Sequence, residues 1–321
     1  MKRILALLLV LTVVLCGCGS EKPQETTTAP TTEPATDPTL TIDWMTLPAD
    51  REIAAAQYFV YNCETGTFVT KAEDVSTKIY PASVTKLFTA YVALQYLDAS
   101  KSVTAGDVLN KVAAGSSVAE IKKGDTLTVE QLVAGMLLPS GNDAAYILAA
   151  EAGRAMYGAK ANSVSTDEAI TRFVKEMNDQ AKLLGMTGTN FANPDGIHSD
   201  NHYSTYADLA KLGTLVLADP IIMKYAAVSS MDVSLASGNV SWHNTNAIID
   251  PASEYYCSIC TGLKTGQTPM AGSCLLSSFA VNASTYIVGV FGCKEVDDRF
   301  PDTLQLINQA IILEYPLGDS Q

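Results

Sequence analysis

The spacing of apolar residues divides the chain into strand-like ends and a helical middle. Residues 53–69 read IAAAQYFVYNCETGTFV, and two apolar runs that flank a polar turn predict a β-hairpin. Apolar runs with glycine-rich turns between them predict further strands at 259–264, 273–281 and 285–291. Apolar residues at helical spacing predict helices at 83–97, 127–138, 143–152, 166–184, 206–217 and 302–312. We therefore predict an α+β fold in which both chain ends build one antiparallel sheet, flanked by helices, with a mostly helical subdomain inserted.

The N-terminal segment has a different composition from the rest of the chain. Two basic residues and an apolar run predict a signal peptide at residues 1–17, and the run is too short for a comfortable membrane span. The sequence around Cys18 resembles a bacterial lipobox, which predicts lipidation of Cys18 (Cys16 fits less well, because the bulky Leu15 precedes it). Plain cleavage and release is the alternative. Residues 18–49 are rich in Thr and Pro and predict a disordered tether.

Residues 50–321 are long enough for one large folded domain. This domain is expected to be exported and held by the lipid at Cys18 at the outer face of the bacterial cytoplasmic membrane. If Cys18 is not lipidated, the protein is expected to be secreted. The formal net charge of −13 argues against nucleic acid as a partner.

The cysteines beyond Cys18 are odd in number, so they cannot all pair within one chain. Cys257 and Cys260 form a CxxC pair that can be a redox pair, half of a zinc site, or small residues filling strand positions. We favour the last interpretation, since neither a second CxxC nor a thioredoxin-like context is present. A Cys260–Cys274 bridge across a hairpin is a further possibility.

The first candidate for chemistry is Ser83-Val84-Thr85-Lys86, at the start of a predicted helix. Residues three apart lie on one helix face, so the Ser83 hydroxyl and the Lys86 amine can approach each other. A serine hydroxyl needs a base to become a nucleophile. A lysine can be that base when burial or a neighbouring cation lowers its pKa. Alone, the motif also fits a solvated polar turn.

Two further segments carry suitable groups. Ser140-Gly141-Asn142 lies between two predicted helices, where the hydroxyl can relay a proton and the amide can hold a substrate. Lys264-Thr265-Gly266 lies on a predicted strand, where a lysine and a hydroxyl make a carboxylate site. Gly266 leaves room for a substrate backbone. Each segment alone also fits an ordinary turn or hairpin, so their common order along the chain is the stronger signal.

Together the three motifs resemble those of the penicillin-recognising serine enzymes. The likeness is narrower to the D-alanyl-D-alanine carboxypeptidases of the S11 type, among the low-molecular-weight penicillin-binding proteins, and runs from about residue 54 to 312. It also includes segments that match the family forms P-A-S-x-T-K, L-x-x-S-G-N-D-A-A, F-x-N-P-x-G, N-H-Y-S-T and G-[LI]-K-T-G: 81–86, 138–145, 191–196, 201–205 and 262–266.

The resemblance implies a β-lactamase/transpeptidase-like fold and a role for each residue. Ser83 would be acylated with release of D-alanine, and Lys86 would be the general base. Ser140 would shuttle a proton to the leaving amine, and Asn142 would orient the substrate. Lys264 and Thr265 would bind the terminal carboxylate, and Gly266 would leave room for the substrate. The backbone N–H groups of Ser83 and Gln267 would form the oxyanion hole.

The implied substrate is the peptidoglycan pentapeptide, and β-lactams would be covalent inhibitors. The resemblance implies neither a cofactor nor a metal. Two positions depart from the family pattern: Gln267 replaces a frequent His, and Thr245 stands where members often carry Arg. Arg299 either supplies positive charge near the site or lies on the surface. Larger members carry a C-terminal domain and an amphipathic anchor, and we expect the lipid at Cys18 to replace that anchor.

Three other functions compete with this interpretation. A zinc hydrolase could use His198 and His202, but Pro194 and Gly196 argue against a helix there and HExxH is absent. A β-lactamase shares the nucleophile, but residues 193–196 lack an E-x-x-L-N pattern for fast deacylation. A β-lactam sensor that does not turn over would be expected to carry a transmembrane signalling segment.

Overall fold

The computed structural model describes residues 51–315, and residues 1–50 and 316–321 lie outside it. The predicted signal peptide, the lipidation of Cys18 and the tether fall on residues outside the described range, so they stay predictions. No helix within residues 51–315 combines the length and the apolar character that a membrane span needs.

The strands fall into one large sheet and several two-stranded pairs. They are β1 (Gln57–Asn62), β2 (Thr67–Lys71), β3 (Lys78–Ile79), β4 (Ser102–Thr104), β5 (Thr126–Thr128), β6 (Ser204–Thr205), β7 (Ser230–Leu235), β8 (Gly238–His243), β9 (Cys260–Thr268), β10 (Gly272–Val281) and β11 (Ser284–Cys293). The large sheet is antiparallel with the order β2-β1-β11-β10-β9, so its two halves come from opposite ends of the described chain. The pairing of Phe59 with Gly289 joins those halves.

The helices lie between these strands in sequence, except for the last. They are α1 (Thr85–Leu94), α2 (Val129–Leu137), α3 (Asn142–Ala155), α4 (Thr166–Leu183), α5 (Tyr206–Leu217), α6 (Pro220–Ala226) and α7 (Arg299–Glu314). Two of them begin with a capping box, in which a side-chain oxygen accepts the backbone N–H of the third helical residue and that residue's side chain caps in return. The boxes are Thr128 with Gln131 before α2 and Ser165 with Glu168 before α4.

Helices cover both faces of the large sheet. On one face, Gly213 of α5 lies against Ile287, and a Cβ at Gly213 would come within 2.8 Å of that side chain. On the other face, Leu275 packs with Phe300 and Leu304 of α7. These contacts fall on opposite faces because successive side chains of a strand alternate. The predicted α+β fold is confirmed.

α1 runs through the centre of the helical part and is buried on all sides. Leu87, Phe88, Ala90, Val92 and Ala93 are completely buried. The helix contacts α2, α3, α4, α5 and α6. A helix with apolar residues around its whole circumference must be enclosed, which explains the central position. The N-terminus of α1 is therefore held rigidly inside the molecule.

The pair of strands β7 and β8 is an element that the sequence analysis did not predict. Its alternating exposed and buried positions are a strand signal, although the stretch contains few apolar residues. Trp242 on β8 is buried, and its indole N–H donates to the Ala119 carbonyl at 2.9 Å. The hairpin thereby supports the loop that precedes β5.

Candidate active site

Ser83 and Lys86 are in direct contact at the start of α1. Ser83 lies in a 3₁₀ turn (Ala82–Val84) that leads into the helix. The Nζ of Lys86 donates to Ser83 Oγ at 2.7 Å and to the Asp195 carbonyl oxygen, also at 2.7 Å. The sequence motif thus becomes a hydroxyl and an amine within hydrogen-bonding distance.

Lys86 is fully buried, and this changes its protonation. Burial disfavours the charged ammonium and lowers the pKa of Lys86 to about 8, although the carboxylates of Asp195 and Asp143 oppose the shift. A pKa of about 8 leaves on the order of one tenth of the amine neutral at pH 7. A neutral amine can accept the proton of Ser83 Oγ, which is the property that a general base needs.

Two glycines fix the turn that holds Ser83. A Cβ at Gly196 would lie 1.9 Å from the Ala82 carbonyl oxygen, and Gly196 has a positive φ of 88°. A Cβ at Gly266 would lie 3.0 Å from the Ser83 nitrogen. Only glycine allows both backbones to approach so closely. The turn is therefore clamped between the loop that carries Gly196 and strand β9.

Ser140 and Asn142 flank the point where α2 gives way to α3. Ser140 is nearly buried and has a positive φ of 62°, an uncommon conformation for a residue with a side chain. The backbone N–H of Asn142 donates to the Ser117 carbonyl at 2.9 Å. The neighbouring Asp143 carboxylate accepts from the amides of Ala119 and Ile121 at 2.8 and 3.0 Å. This loop is therefore tied firmly to residues 117–121.

Asp143 was not among the predicted site residues, and its hydrogen bonds hold the loop between α2 and α3 in place. Its side chain is buried, and burial raises the pKa of Asp143 despite backbone N–H groups, including those of Ala119, Ile121 and Ala144, that favour the carboxylate. The L-x-x-S-G-N-D-A-A segment contains it, but only the tertiary contacts reveal what it holds.

Lys264 and Thr265 lie on β9 and form a second polar cluster with Thr245. Lys264 is fully buried, and its Nζ donates to the Thr265 carbonyl at 3.1 Å and lies 3.4 Å from Thr245 Oγ1. The hydroxyls of Thr245 and Thr265 share a 2.5 Å hydrogen bond. The residue that replaces the family's frequent Arg therefore contacts both carboxylate-binding candidates.

The positive charges of the site lie close enough to affect one another. Burial, with the neighbouring Lys86 and Arg299, lowers the pKa of Lys264 well below its ordinary value. Arg299 opens α7 and is buried, and its guanidinium donates to the Gly266 carbonyl at 3.3 Å. Of the two possibilities left by the sequence, the structure therefore places Arg299 behind β9 and not on the surface. An anionic ligand would relieve this crowding of positive charge.

Asp195 is a second residue that sequence reasoning did not assign to the site. Its side chain is 1% exposed, and among the described residues its Oδ2 has no hydrogen-bond partner. Burial raises the pKa of Asp195, while the charge of Lys86 acts in the opposite direction. An ionised Asp195 therefore places negative charge beside the base candidate.

His202 is engaged by the protein through both ring nitrogens. Nε2 lies 2.8 Å from Thr85 Oγ1, and Nδ1 accepts the Ala192 amide at 3.1 Å. Burial lowers the pKa of His202 to about 4, so the ring is neutral near pH 7. Within residues 51–315, no group of three or more His, Cys, Asp or Glu side chains is arranged to hold a metal. These contacts give the zinc interpretation no support.

A cleft of about 670 Å³ opens above these groups. Its walls include Ser83, Asn142, Gln267, Thr268 and the loop of residues 113–117. The nucleophile candidate, the amide of the second motif and the residue after the third motif therefore face one space. Ser83 and the backbone beside Gln267 are also adjacent through the close approach at Gly266.

Known proteins resemble this chain in both sequence and structure. The model of peptidase family S11, described as D-alanyl-D-alanine carboxypeptidase, matches residues 44–295. The D-alanyl-D-alanine carboxypeptidase of Streptomyces sp. strain K15 is 32% identical over 273 residues, covering 81% of this chain and 88% of that protein. DacF of Bacillus subtilis, a D-alanyl-D-alanine carboxypeptidase, is 29% identical, and the match covers 73% of this chain but only 56% of DacF.

Solved structures agree with these sequence matches. The Streptomyces K15 DD-transpeptidase has a TM-score of 0.72 and 28% identity, with 82% of this chain and 99% of that chain covered. Penicillin-binding protein D2 of Listeria monocytogenes, solved in its cefotaxime-bound form, has a TM-score of 0.65 and 25% identity, with 82% and 100% covered. The family that the motifs resemble is thereby confirmed: this chain belongs to the S11 family of serine peptidases, the D-alanyl-D-alanine carboxypeptidases.

Proposed function

We propose that this protein is a serine-type D-Ala-D-Ala carboxypeptidase that removes the terminal D-alanine of peptidoglycan pentapeptides through an acyl-enzyme on Ser83. The observation that carries the proposal is the 2.7 Å contact between Lys86 Nζ and Ser83 Oγ, with a buried lysine whose pKa is lowered to about 8. Membership of the family supports the reaction class.

Acylation begins when neutral Lys86 takes the proton of Ser83 and Oγ attacks the carbonyl carbon of the penultimate D-alanine. The carbonyl oxygen becomes an oxyanion, which the N–H groups of Ser83 and Gln267 stabilise. Fixed backbone donors at such a position typically lower the barrier by about 3–4 kcal/mol. The clamp of Gly196 and Gly266 on the Ser83 turn keeps these donors preorganised.

Collapse of the tetrahedral intermediate breaks the bond between the penultimate carbonyl carbon and the nitrogen of the terminal D-alanine. That nitrogen needs a proton, which Ser140 passes on from the protonated Lys86. Asn142 holds the substrate amide in the cleft that it lines together with Ser83. The strained backbone of Ser140, with φ at 62°, fits a residue that its loop holds in a fixed functional position.

The terminal carboxylate is bound at β9 by Lys264 and the hydroxyl of Thr265. Thr245 orients that hydroxyl through its 2.5 Å hydrogen bond, and Arg299 adds positive charge from behind the strand. Burial disfavours the protonated form of Lys264, and a bound carboxylate stabilises that form. Carboxylate binding and protonation of Lys264 therefore favour each other. This explains a preference for peptides with a free C-terminus.

Deacylation uses water as the acceptor. Lys86, neutral again after passing on its proton, accepts a proton from the water that attacks the ester. The ester bond breaks, and Ser83 regains its hydrogen. β-Lactams mimic the terminal dipeptide and would acylate Ser83 in the same way, and the Listeria penicillin-binding protein D2 has been solved in a cefotaxime-bound form.

The direct test uses the purified full-length chain and a peptide that ends in D-Ala-D-Ala. We expect release of D-alanine and covalent labelling of Ser83 by a fluorescent penicillin. Ser83→Ala should lose both activities, and Ser140→Ala should lose most of the peptide activity. Penicillin labelling that persists in Ser83→Ala would remove the nucleophile from Ser83.

The lifetime of the penicillin adduct separates the proposed function from its competitors. A carboxypeptidase should release the adduct over about minutes or longer, and a β-lactamase in well under about a second, which corresponds to a deacylation barrier lower by about 2 kcal/mol or more. A stable adduct without any release of D-alanine from peptides would instead indicate a sensor.

We also propose that a lipid at Cys18 anchors the protein to the outer face of the cytoplasmic membrane. The lipobox-like sequence around Cys18 and the Thr/Pro-rich residues 18–49 support this. Metabolic labelling with a fatty-acid probe should mark the protein, and Cys18→Ser should abolish the label. Cys16→Ser is the matched control and should keep it. A label that survives Cys18→Ser would contradict the assignment.

A further inference from the structure

Cys257 and Cys260 lie in a turn that the proposed reaction does not use. The Cys260 amide donates to the Cys257 carbonyl at 3.0 Å, which closes a four-residue turn immediately before and into β9. The ends of such a turn are less than about 7 Å apart between Cα atoms. Disulfides span Cα separations of about 4.4–6.8 Å. The backbone therefore already holds the two residues near the separation that a disulfide needs.

Both thiols are free and partly exposed. They pack against an apolar cluster that includes Ile248, Leu275 and Phe300. By contrast, the β9–β10 register sets Cys260 opposite Phe279 and Cys274 opposite Gly266, so the Cys260–Cys274 bridge considered from the sequence is not formed.

The two thiols differ in acidity in the way that a nucleophile and its resolving partner differ. The neighbouring Cys260 thiol lowers the pKa of Cys257 to about 7, while the proximity of Cys257 and burial raise the pKa of Cys260. Burial raises the pKa of Cys63, a partly exposed cysteine elsewhere in the sheet region. Since the thiolate is the reactive form, Cys257 should react first.

We propose that Cys257 and Cys260 form a reactive dithiol that low-molecular-weight disulfides oxidise to an intramolecular disulfide. The Cys257 thiolate attacks one sulfur of the external disulfide, and one thiolate leaves. The Cys260 thiol gives up its proton and attacks Cys257 in the mixed disulfide, and the second thiolate leaves. Two protein thiols are oxidised and one external disulfide is reduced to two thiols, so electrons and atoms balance.

The turn connects two segments that reach the carboxylate-binding cluster. The Cys257 amide donates to the Ile248 carbonyl at 2.9 Å, and Ile248 lies three residues after Thr245. Cys260 is the first residue of β9, which carries Lys264. On the neighbouring strand β10, the Ser277 hydroxyl donates to the Gly262 carbonyl of β9 at 2.6 Å. The disulfide would thus fasten the junction between the two segments behind that cluster.

To test this, the reduced full-length chain is treated with glutathione disulfide near pH 7. The remaining thiols are then alkylated, and the peptides are mapped by mass spectrometry. The peptide with residues 257–260 should lose two hydrogens, escape alkylation and retain no glutathione, and dithiothreitol should reverse the change. Cys260→Ser should trap a glutathione adduct on Cys257. Cys257→Ser should leave Cys260 reacting at least about tenfold more slowly than Cys257 does in the wild type.

Cys63→Ser is the matched control and should form the disulfide as the wild type does. Labelling of Ser83 by a fluorescent penicillin reports whether each variant is folded, because the cysteines lie outside the reacting groups. The disulfide of the wild type is mapped without any variant, so the proposal stays testable even if a variant does not fold. Thiols at 257 and 260 that stay alkylatable, or a glutathione adduct that never resolves into the internal disulfide, would overturn the proposal.

Discussion

The amine of Lys86 donates a 2.7 Å hydrogen bond to the main-chain carbonyl of Asp195, a residue 109 positions further along the chain. This bond joins the start of the central helix to the loop that carries Gly196. The same Nζ also donates to the Ser83 hydroxyl, so it bonds to both groups at once. The base candidate is therefore aimed at Ser83 by two elements that are distant in sequence.

Replacing Lys86 with Arg should nearly abolish acylation. The guanidinium stays protonated at all relevant pH values and cannot accept the Ser83 proton. We expect the rate of penicillin acylation to fall by about 10²- to 10⁴-fold, the usual contribution of a general base. The control is Lys182→Arg on the exposed side of α4, which should leave the rate unchanged. An active Lys86→Arg protein would exclude Lys86 as the base.

Acylation should depend on pH through the protonation of Lys86. The neutral amine is the active form, so the rate should rise by about tenfold per pH unit below the pKa and level off above it. With the pKa of Lys86 lowered to about 8, the bend in the profile should fall near that pH. Stopped-flow acylation with a fluorescent penicillin measures it. A rate that falls as the pH rises through this range would contradict the assignment.

Asp195→Asn should move that bend to lower pH. The Asp195 carboxylate raises the pKa of Lys86, so removing its charge lets burial lower the pKa further. We expect a shift of about one pH unit, the size of a partly screened charge pair. Asp200→Asn, whose side chain is 93% exposed, is the control and should leave the profile in place. An unshifted profile in Asp195→Asn would show that the two residues are not coupled.

Gly196→Ala should destabilise the protein and impair Ser83 together. Its Cβ would overlap the Ala82 carbonyl oxygen, and its φ of 88° is unfavourable for alanine. We expect a loss of about 3 kcal/mol or more in the free energy of unfolding, from strain and overpacking. Gly158→Ala, which has φ of 55° and nothing within 4 Å of the new Cβ, should lose only about 1 kcal/mol.

Urea unfolding of both glycine variants measures these losses, and penicillin acylation reports the Ser83 turn. Equal losses in the two variants would mean that the contact with Ala82 has no cost. Normal acylation in a folded Gly196→Ala protein would mean that the clamp does not position Ser83.

Arg299→Gln should weaken the use of substrates with a free C-terminal carboxylate. The variant removes a buried cation near Lys264 of β9, the residue proposed to bind the terminal carboxylate. We expect kcat/KM for the acid peptide to fall by about 10-fold, equivalent to about 1.4 kcal/mol of lost attraction between the guanidinium charge and the substrate carboxylate. The matching C-terminal amide should change much less. Equal losses on both substrates would indicate a structural role for Arg299.

Some features of the site follow from sequence alone because they are local. The spacing of Ser83 and Lys86 places them on one face of a helix whatever surrounds it. The strand patterns at both ends and the helical patterns between them predict one antiparallel sheet with an insertion, and the β2-β1-β11-β10-β9 order agrees with this. The order of the three motifs indicates the penicillin-recognising serine enzymes, and the further matching segments narrow this to the S11 family.

Tertiary structure decided which of these groups can react. The pKa of Lys86 depends on complete burial by helices throughout the domain, and its second bond goes to Asp195. Thr245 and Arg299 reach β9 only through packing, and no local pattern distinguishes them from surface residues. Covalent spacing along a helix is fixed by the sequence, whereas desolvation and contacts between distant residues depend on how the whole chain packs.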